Sequence, residues 1–193
     1  MRTQHEIGTR ERIIRTTSRL MQRQGYEATG LKQISQEAQA TLGSVYHFFP
    51  GGKRELAVEA VRHGDRDFAE FLRAAFDQED DPAAAVLACT RELARGLRES
   101  GWLDGCPVTT TASESVGRVP EIQQAAEEAY ENWRALVRDK LRRSGFADEV
   151  AHDLAHSVIN LLEGAELSAQ LSQREAPLEI AGRHLARLID SYR

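Results

Sequence analysis

The segment from residue 25 to residue 56 constrains the fold of this chain more than any other. It reads GYEATGLKQISQEAQATLGSVYHFFPGGKREL. Apolar residues at helical spacing predict a short helix over residues 31–38 and another over residues 42–49, separated by a tight turn. Pro50-Gly51-Gly52 then interrupts the pattern before a longer helix begins. This is the layout of a helix-turn-helix motif, in which the second short helix enters the major groove of DNA.

The distribution of charge agrees with an N-terminal region that contacts phosphate. The whole chain is acidic, with 25 Lys and Arg against 30 Asp and Glu. Residues 1–54 nevertheless hold nine Lys and Arg and four Asp and Glu, a net charge of +5, so the remainder carries −10. A basic surface attracts nucleic acid, although the same excess also fits an ordinary solvated helix surface.

Helical periodicity continues through the rest of the chain, and no segment alternates like a strand. Prolines at positions 50, 82, 107, 120 and 177 mark plausible helix boundaries. Further helices are predicted over residues 9–24, 53–76, 82–99, 108–118, 120–144, 147–172 and 177–191. The sequence therefore predicts an all-α fold of about nine helices.

The composition favours a cytoplasmic protein. No apolar run approaches the roughly 20 residues that a membrane helix needs. The first residues, MRTQHEIGTRER, lack the apolar core of a secretory signal. Two cysteines, Cys89 and Cys106, do not form a disulfide framework.

The last two predicted helices indicate self-association. Apolar residues between positions 150 and 171 cover too wide an arc for one buried stripe. Either this helix is central in a monomer, or one of its faces meets another chain. Small residues would let a partner helix approach closely: Gly164, Ala165, Ser168 and Ala169. Two such helices per chain would form a four-helix interface in a homodimer.

Three residues that flank the short helices are candidates for contacts with the DNA backbone. Thr29 is placed to cap the 31–38 helix by accepting a backbone N–H. Lys32 lies in the first turn, where the helix dipole disfavours a cation unless a phosphate binds there; the alternative is that Lys32 extends into water. Lys53, at the start of the next helix, is also a phosphate candidate.

The second short helix carries the remaining candidates. Thr41 is its predicted N-cap, and Gly43 would let the backbone approach a groove wall. Ser44 can contact a base edge or a phosphate. Tyr46 and His47 point about 100° apart, so they cannot both be core residues. Tyr46 is expected to reach a phosphate, and His47 either a phosphate or a base.

These residues carry a family resemblance. The run Gly43-Ser44-Val45-Tyr46-His47-Phe48-Phe49-Pro50, followed by Lys53 and Leu56, resembles the DNA-binding domain of the tetracycline-repressor (TetR) family. The stretch PGGKREL and the later Gly105-Cys106-Pro107-Val108 resemble its LmrA/YxaF-type branch. Leu42 stands where many members have Lys or Pro, and Phe48 where many have His, so operator preference does not carry over.

The resemblance implies both a domain organisation and a function. It implies a helix-turn-helix DNA-binding domain over residues 1–54 and a helical ligand-binding and dimerisation domain over residues 55–193. Such a homodimer represses transcription at a palindromic operator and is released by a small apolar or aromatic effector. The family's DNA contacts carry over to Thr29, Lys32, Ser44, Tyr46, His47 and Lys53.

Several residues of the second domain are candidates for lining an effector pocket. They are Phe68, Leu72, Trp102, Cys106, Thr110, Trp133 and Glu163. Trp102 and Trp133 would stack on a planar ligand, and Thr110 and Glu163 would fix its polar edge. Each of these residues could equally belong to the core. Cys106, in a predicted loop, is either a reactive thiol or a small packed residue.

A second class of function rests on two histidines. His152-Asp153-Leu154-Ala155-His156 places two imidazoles on one helix face, as in the zinc-hydrolase HExxH pattern, with Glu163 as the nearest third ligand. The alternative function is therefore a small all-α enzyme or ligand carrier that uses His152 and His156 or Cys106. The sequence has no Gly-rich phosphate loop and no G-x-S-x-G motif. The favoured prediction is a regulator with no cofactor, no metal and no catalytic residues.

Overall fold

The computed structural model describes residues 7–193. Within that range the chain forms nine helices and no strand, which confirms the predicted all-α fold. The helices are α1 Thr9–Ala28, α2 Leu31–Glu37, α3 Leu42–Phe48, α4 Gly52–Gln78, α5 Pro82–Glu99, α6 Pro107–Ser113, α7 Pro120–Arg143, α8 Asp148–Ser172 and α9 Ala176–Asp190. None of them is long and apolar enough to cross a lipid bilayer.

Prolines and short polar side chains set most of the helix starts. Pro82, Pro107, Pro120 and Pro177 lie in the first turns of α5, α6, α7 and α9, where a missing N–H leaves no hydrogen bond unmade. The Asp81 carboxylate accepts a hydrogen bond from the backbone N–H of Ala84 (3.0 Å) and caps α5. The spacing of prolines thus predicted these boundaries within a residue or two.

The described chain forms two compact units. The first contains residues 7–65 and 106–129, and the second contains residues 66–105 and 130–193. The predicted boundary after residue 54 falls inside α4, and the first unit also takes in α6 and the start of α7. Close contacts explain this: a Cβ on Gly64 would lie 2.8 Å from Pro107 Cγ, so α4 and α6 touch at a glycine. Residues 1–6, included in the predicted first domain and in its charge, lie outside the described residues.

The first unit has a core shared by its N-terminal helices. Ile13 and Ile14 of α1, Ile34 of α2 and Val45 of α3 are buried together with Phe49. Because all three helices contribute to one cluster, the two short helices are held by tertiary packing. Helices of seven residues need such support, since short isolated helices are marginal in water.

The second unit is built around α5, α8 and α9. Its cluster contains Ala94 and Leu97 of α5, Ala165 and Ala169 of α8, and Leu178 of α9. Ala165 and Ala169, predicted to meet a partner chain, therefore pack inside the protomer. Small residues let these helices approach closely, as they do at Gly182, where a Cβ would lie 2.3 Å from Thr90 Oγ1.

Apolar residues nevertheless remain exposed on the last two helices. On α8 they are Leu161, Leu167 and Leu171, and on α9 they are Ile180 and Leu188. Leu171 keeps 78% of its surface. The expected wide apolar arc is thus present, with one part buried in the protomer and another part facing outward.

Candidate nucleic-acid interface

The turn between α2 and α3 is defined by local hydrogen bonds. Gln39 adopts a left-handed conformation with φ of 51°, and the Ala40 N–H donates to the Ser35 carbonyl (2.9 Å). Thr41 is the N-cap of α3, as predicted, because its Oγ1 accepts a hydrogen bond from the Ser44 N–H (3.0 Å). The Thr41 and Ser44 hydroxyl oxygens also lie 2.9 Å apart and share a hydrogen bond. Contacts within the protein therefore fix the first turn of α3.

One face of α3 is buried and the opposite face is exposed. Val45 and Phe49 have no exposed surface and anchor the helix to the core of the first unit. Gly43, Tyr46 and His47 are exposed, and Tyr46 keeps 51% of its surface. This division gives α3 a face that is free to contact another molecule.

Gly43 has no packing reason to be a glycine. A Cβ at this position would have only Thr41 Oγ1 within contact range, at an ordinary 3.7 Å. Its φ is not in the left-handed region either. Neither packing nor backbone conformation therefore requires glycine at position 43. The explanation predicted from the sequence, that glycine lets the backbone approach a groove wall of DNA, still stands as a prediction.

Lys53 has partners within the protein. Its Nζ donates to the Glu27 carbonyl (3.0 Å) and lies 4.5 Å from the centroid of the Tyr26 ring. Burial, followed by the charge of Glu27, raises the pKa of Tyr26, so this ring stays neutral under the ammonium group. The ammonium group has three donors, which leaves Lys53 able to meet a phosphate from a fixed position. Lys32 lies exposed in the first turn of α2.

The structure corrects the prediction for Thr29. The N-cap of α2 is Gly30, with no side-chain cap. Thr29 has 0% exposure, and its hydroxyl donates to the Gly25 carbonyl (2.7 Å). Its N–H donates to the Tyr26 carbonyl (3.3 Å). Both of its donors are used within residues 25–30, where α1 is kinked at Gly25 and then ends before α2. We call this segment the turn between α1 and α2. Thr29 shapes this turn and offers nothing for a direct contact.

Sequence reasoning missed two residues that hold the same turn. Gln24 Nε2 donates to Gln33 Oε1 (2.9 Å) and so links α1 to α2. Glu114, 87 positions further along the chain, accepts a hydrogen bond from the Glu27 N–H through Oε2 (2.9 Å). Helical periodicity has no signal for either contact, because both depend on tertiary packing.

The predicted effector residues are distributed over both units. Cys106 and Thr110 belong to the first unit, and the other five belong to the second. Phe68 and Trp133 come together, with ring centroids 4.7 Å apart in an edge-to-face arrangement. Trp102 instead packs against the cluster of α5, α8 and α9. The two tryptophans therefore occupy different clusters.

Burial separates the candidates further. Leu72 and Trp133 have 0% exposure and serve as core residues. Phe68, Trp102 and Glu163 are half-buried in the second unit. These three are therefore the accessible candidates there.

The two cysteines have different surroundings. Cys89 is fully buried in α5, and this burial raises the pKa of its thiol to about 12. Cys106 is half-buried and is the N-cap of α6, where its Sγ accepts a hydrogen bond from the Thr109 N–H (3.4 Å). Cys106 is thus a packed capping residue that keeps some accessibility.

The histidine pair lies close together without a third ligand. The rings of His152 and His156 have centroids 4.7 Å apart, and His152 Nδ1 lies 3.0 Å from Asp153 Oδ1. Across residues 7–193, no group of three or more side chains at metal-binding distances includes either histidine. In particular, Glu163 does not complete a site with them.

Both parts of the chain match known families. Residues 13–60 match the bacterial regulatory proteins of the tetR family. Residues 82–184 match the C-terminal domain of the LmrA/YxaF-like transcriptional regulators. The chain is 33% identical over 181 residues to the uncharacterized HTH-type transcriptional regulator YxaF of Bacillus subtilis (strain 168), covering 94% of this chain and 95% of YxaF. It is also 33% identical over 170 residues to the HTH-type transcriptional regulator LmrA of the same organism, with coverage of 88% and 90%.

Solved structures agree with these matches. The regulatory protein TetR from Rhodobacter sphaeroides superposes with a TM-score of 0.81 at 26% identity, covering 92% of this chain and 97% of that chain. A TetR transcriptional regulator from Legionella pneumophila shares the fold with a TM-score of 0.82 at 23% identity, covering 94% and 97%. With the exposed face of α3 and the family matches along both units, the chain belongs to the TetR family of bacterial transcriptional regulators, in its LmrA/YxaF-like branch.

Proposed function

We propose that this regulator represses transcription as a homodimer that binds a near-palindromic operator through α3. The observation that carries the proposal is the two-sided α3, with Val45 and Phe49 buried and Gly43, Tyr46 and His47 exposed. In a symmetric dimer, the two α3 helices would enter successive major grooves about 34–36 Å apart.

The proposed contacts are of two kinds: some position the protein on the DNA, and others read the base sequence. The Tyr46 hydroxyl, Lys32 and Lys53 bind phosphate oxygens and fix the orientation of α3, because phosphate contacts carry no direct sequence information. Ser44 and His47 face the base edges, and Gly43 allows the backbone to approach. Thr41 acts through Ser44, whose position it fixes by its cap.

The test measures binding to the DNA that flanks the gene, by fluorescence anisotropy at several salt concentrations. Tyr46→Phe should weaken binding to all sequences by about tenfold, the value of one hydrogen bond to a charged group. Lys53→Ala should weaken binding and reduce the salt slope by about one phosphate contact. His47→Ala should instead change the preference among operator variants.

Tyr192→Phe is the matched control, because Tyr192 is similarly exposed but belongs to the second unit. It should leave binding unchanged. Specific binding that survives the combined Tyr46→Ala and Lys53→Ala substitutions would show that α3 is not the reading helix. An unchanged salt slope in Lys53→Ala would show that Lys53 does not bind a phosphate and serves only through its contacts with Glu27 and Tyr26.

The dimer is proposed to form through the exposed faces of α8 and α9. Gly164 and Leu171 fall on one side of α8, and Ile180 and Leu188 fall on one side of α9. A Cβ on Gly164 would meet no other atom of the protomer. Exposed leucines beside an open glycine suit a partner helix that packs closely, as in a four-helix interface.

The effector is proposed to be a small apolar or aromatic molecule bound in the second unit. Phe68, beside Trp133, and Trp102, beside the cluster of α5, α8 and α9, are half-buried in different parts of this unit, and each offers aromatic surface; the half-buried Glu163 offers a polar group. Pockets of this kind combine apolar walls with few polar groups. Binding of the effector would favour the conformation that releases DNA.

A further inference from the structure

We infer that Glu114, at the C-terminal end of α6, is a positioning residue for DNA binding. It holds the turn between α1 and α2, and through that turn it fixes Lys53. This inference rests on the proposed role of Lys53 as a phosphate contact. All of the residues involved belong to the first unit.

The carboxylate of Glu114 is fitted to a glycine turn. Oε2 accepts the hydrogen bond from the Glu27 N–H (2.9 Å). Oε1 lies against Gly25, where a Cβ would be only 2.0 Å away. Gly25 has φ of +79°, a conformation that residues with a side chain rarely adopt. Glycine at position 25 therefore serves both the shape of the turn and the close approach of Glu114.

The same turn holds the proposed phosphate contact. The Glu27 N–H binds Glu114, and the Glu27 carbonyl accepts the hydrogen bond from Lys53 Nζ (3.0 Å). Glu27 thus connects Glu114 on one side with Lys53 on the other. Loss of the first contact would let the turn move and take the Lys53 ammonium group with it.

The end of α6 is itself firmly seated. Val108, Thr111 and Ser115 are buried. The Thr111 hydroxyl donates to the Pro107 carbonyl (2.7 Å), and the Ser115 hydroxyl donates to the Thr111 carbonyl (2.8 Å). A side chain on such a support can fix the position of a turn, whereas a freely moving side chain could not.

Four variants of the full chain separate the effect of side-chain length at position 114 from the effect of its charge. Glu114→Gln keeps the length and a carbonyl acceptor but removes the charge. Glu114→Asp keeps the charge but is one methylene shorter, so it cannot reach the Glu27 N–H. Glu114→Ala removes both, and Glu128→Ala is the control, because Glu128 is exposed in the same unit and its carboxylate accepts a hydrogen bond from Gln124 of its own helix.

Electrostatics alone makes the opposite prediction for these variants. Removing a carboxylate near a DNA-binding surface should strengthen binding to a polyanion. Weaker binding by Glu114→Ala, beside unchanged or slightly tighter binding by Glu128→Ala, would therefore reveal a loss of positioning.

The experiment measures operator affinity together with amide hydrogen exchange of Glu27 in the absence of DNA. We expect Glu114→Asp and Glu114→Ala to bind about three- to tenfold more weakly and to lose protection at Glu27. Glu114→Gln should remain close to wild type in both measurements. Gly25→Ala should weaken operator binding and reduce protection at Glu27 in the same way. Adding Glu114→Ala to Gly25→Ala should weaken binding little further, since both changes break the same contact.

The inference is overturned if Glu114→Ala binds the operator as tightly as wild type while Tyr46→Ala does not. It is also overturned if Glu114→Asp behaves like wild type and Glu114→Gln behaves like Glu114→Ala, because charge and not reach would then matter. Failure of the wild-type protein to bind any operator would instead refute the proposed function, and the role of Glu114 with it.

Discussion

Glu166 makes the stability of the second unit depend on pH in an unusual direction. This residue of α8 is 8% exposed. Burial, and secondarily the charge of Glu163, raises its pKa from 4.5 to about 8. The folded protein therefore keeps a proton that the unfolded chain releases as the pH rises above 4.5. The free energy of unfolding should fall through this range and level off above the folded pKa.

The size of the effect follows from the two pKa values, 4.5 unfolded and about 8 folded. The linkage between proton binding and folding then lowers the free energy of unfolding by about 1 kcal/mol at pH 5, about 3 kcal/mol at pH 7 and about 4 kcal/mol at pH 8. Glu166→Gln has nearly the same shape and no ionisation, so it should remove this cost. The stability gained by the variant over wild type should grow by about 3 kcal/mol between pH 5 and pH 8.

Urea unfolding of both proteins at pH 5, 6, 7 and 8 measures this difference. The protein concentration must be constant, because the proposed dimerisation would contribute to apparent stability. Glu163→Gln serves as a second arm: it removes the neighbouring charge, so the pKa of Glu166 should fall and the pH dependence should become shallower. If the wild-type and Glu166→Gln stability curves stay parallel from pH 5 to pH 8, then Glu166 does not titrate as described.

Two further predictions concern the second unit. Leu171→Glu should weaken the proposed dimer without loss of helicity, since Leu171 is 78% exposed. Leu185→Glu should instead unfold the protomer, since Leu185 is 1% exposed. Sedimentation together with circular dichroism distinguishes the two results, and a Leu171→Glu protein that stays dimeric would show that this face of α8 is not the dimer interface. A planar aromatic effector should quench the fluorescence of Trp102 and bind more weakly when operator DNA is present, because coupling is reciprocal; quenching that persists in Trp102→Phe, or equal affinity with and without operator, would contradict the proposal.

The sequence was sufficient for helices that end at prolines and glycines. Pro82, Pro107 and Pro120 each start a helix, because proline fits the first turn and fits poorly further along it. Thr41 was recognised as a cap for a similar local reason. The periodicity that separates Val45 from Tyr46 also predicted which face of α3 is buried.

Prediction failed where the outcome depends on contacts between distant residues. Thr29 has the residue type of an N-cap, yet its hydroxyl turns to the Gly25 carbonyl. Ala165 looked free for a partner helix, yet α5 and α9 cover it. The contact between Glu114 and Glu27 joins positions 87 residues apart, and a single sequence contains no pattern for such a pair.

The two-sided α3 has a consequence for how such regulators diverge. Val45 and Phe49 belong to the buried core cluster of the first unit, while Gly43, Tyr46 and His47 are exposed and lie outside that cluster. If α3 reads the operator as proposed, substitutions on its exposed face would change operator preference at little cost in folding stability. In that case a few changes on this face would be enough to give a regulator of this fold a new DNA target, and the same face would be the place to engineer a chosen operator preference.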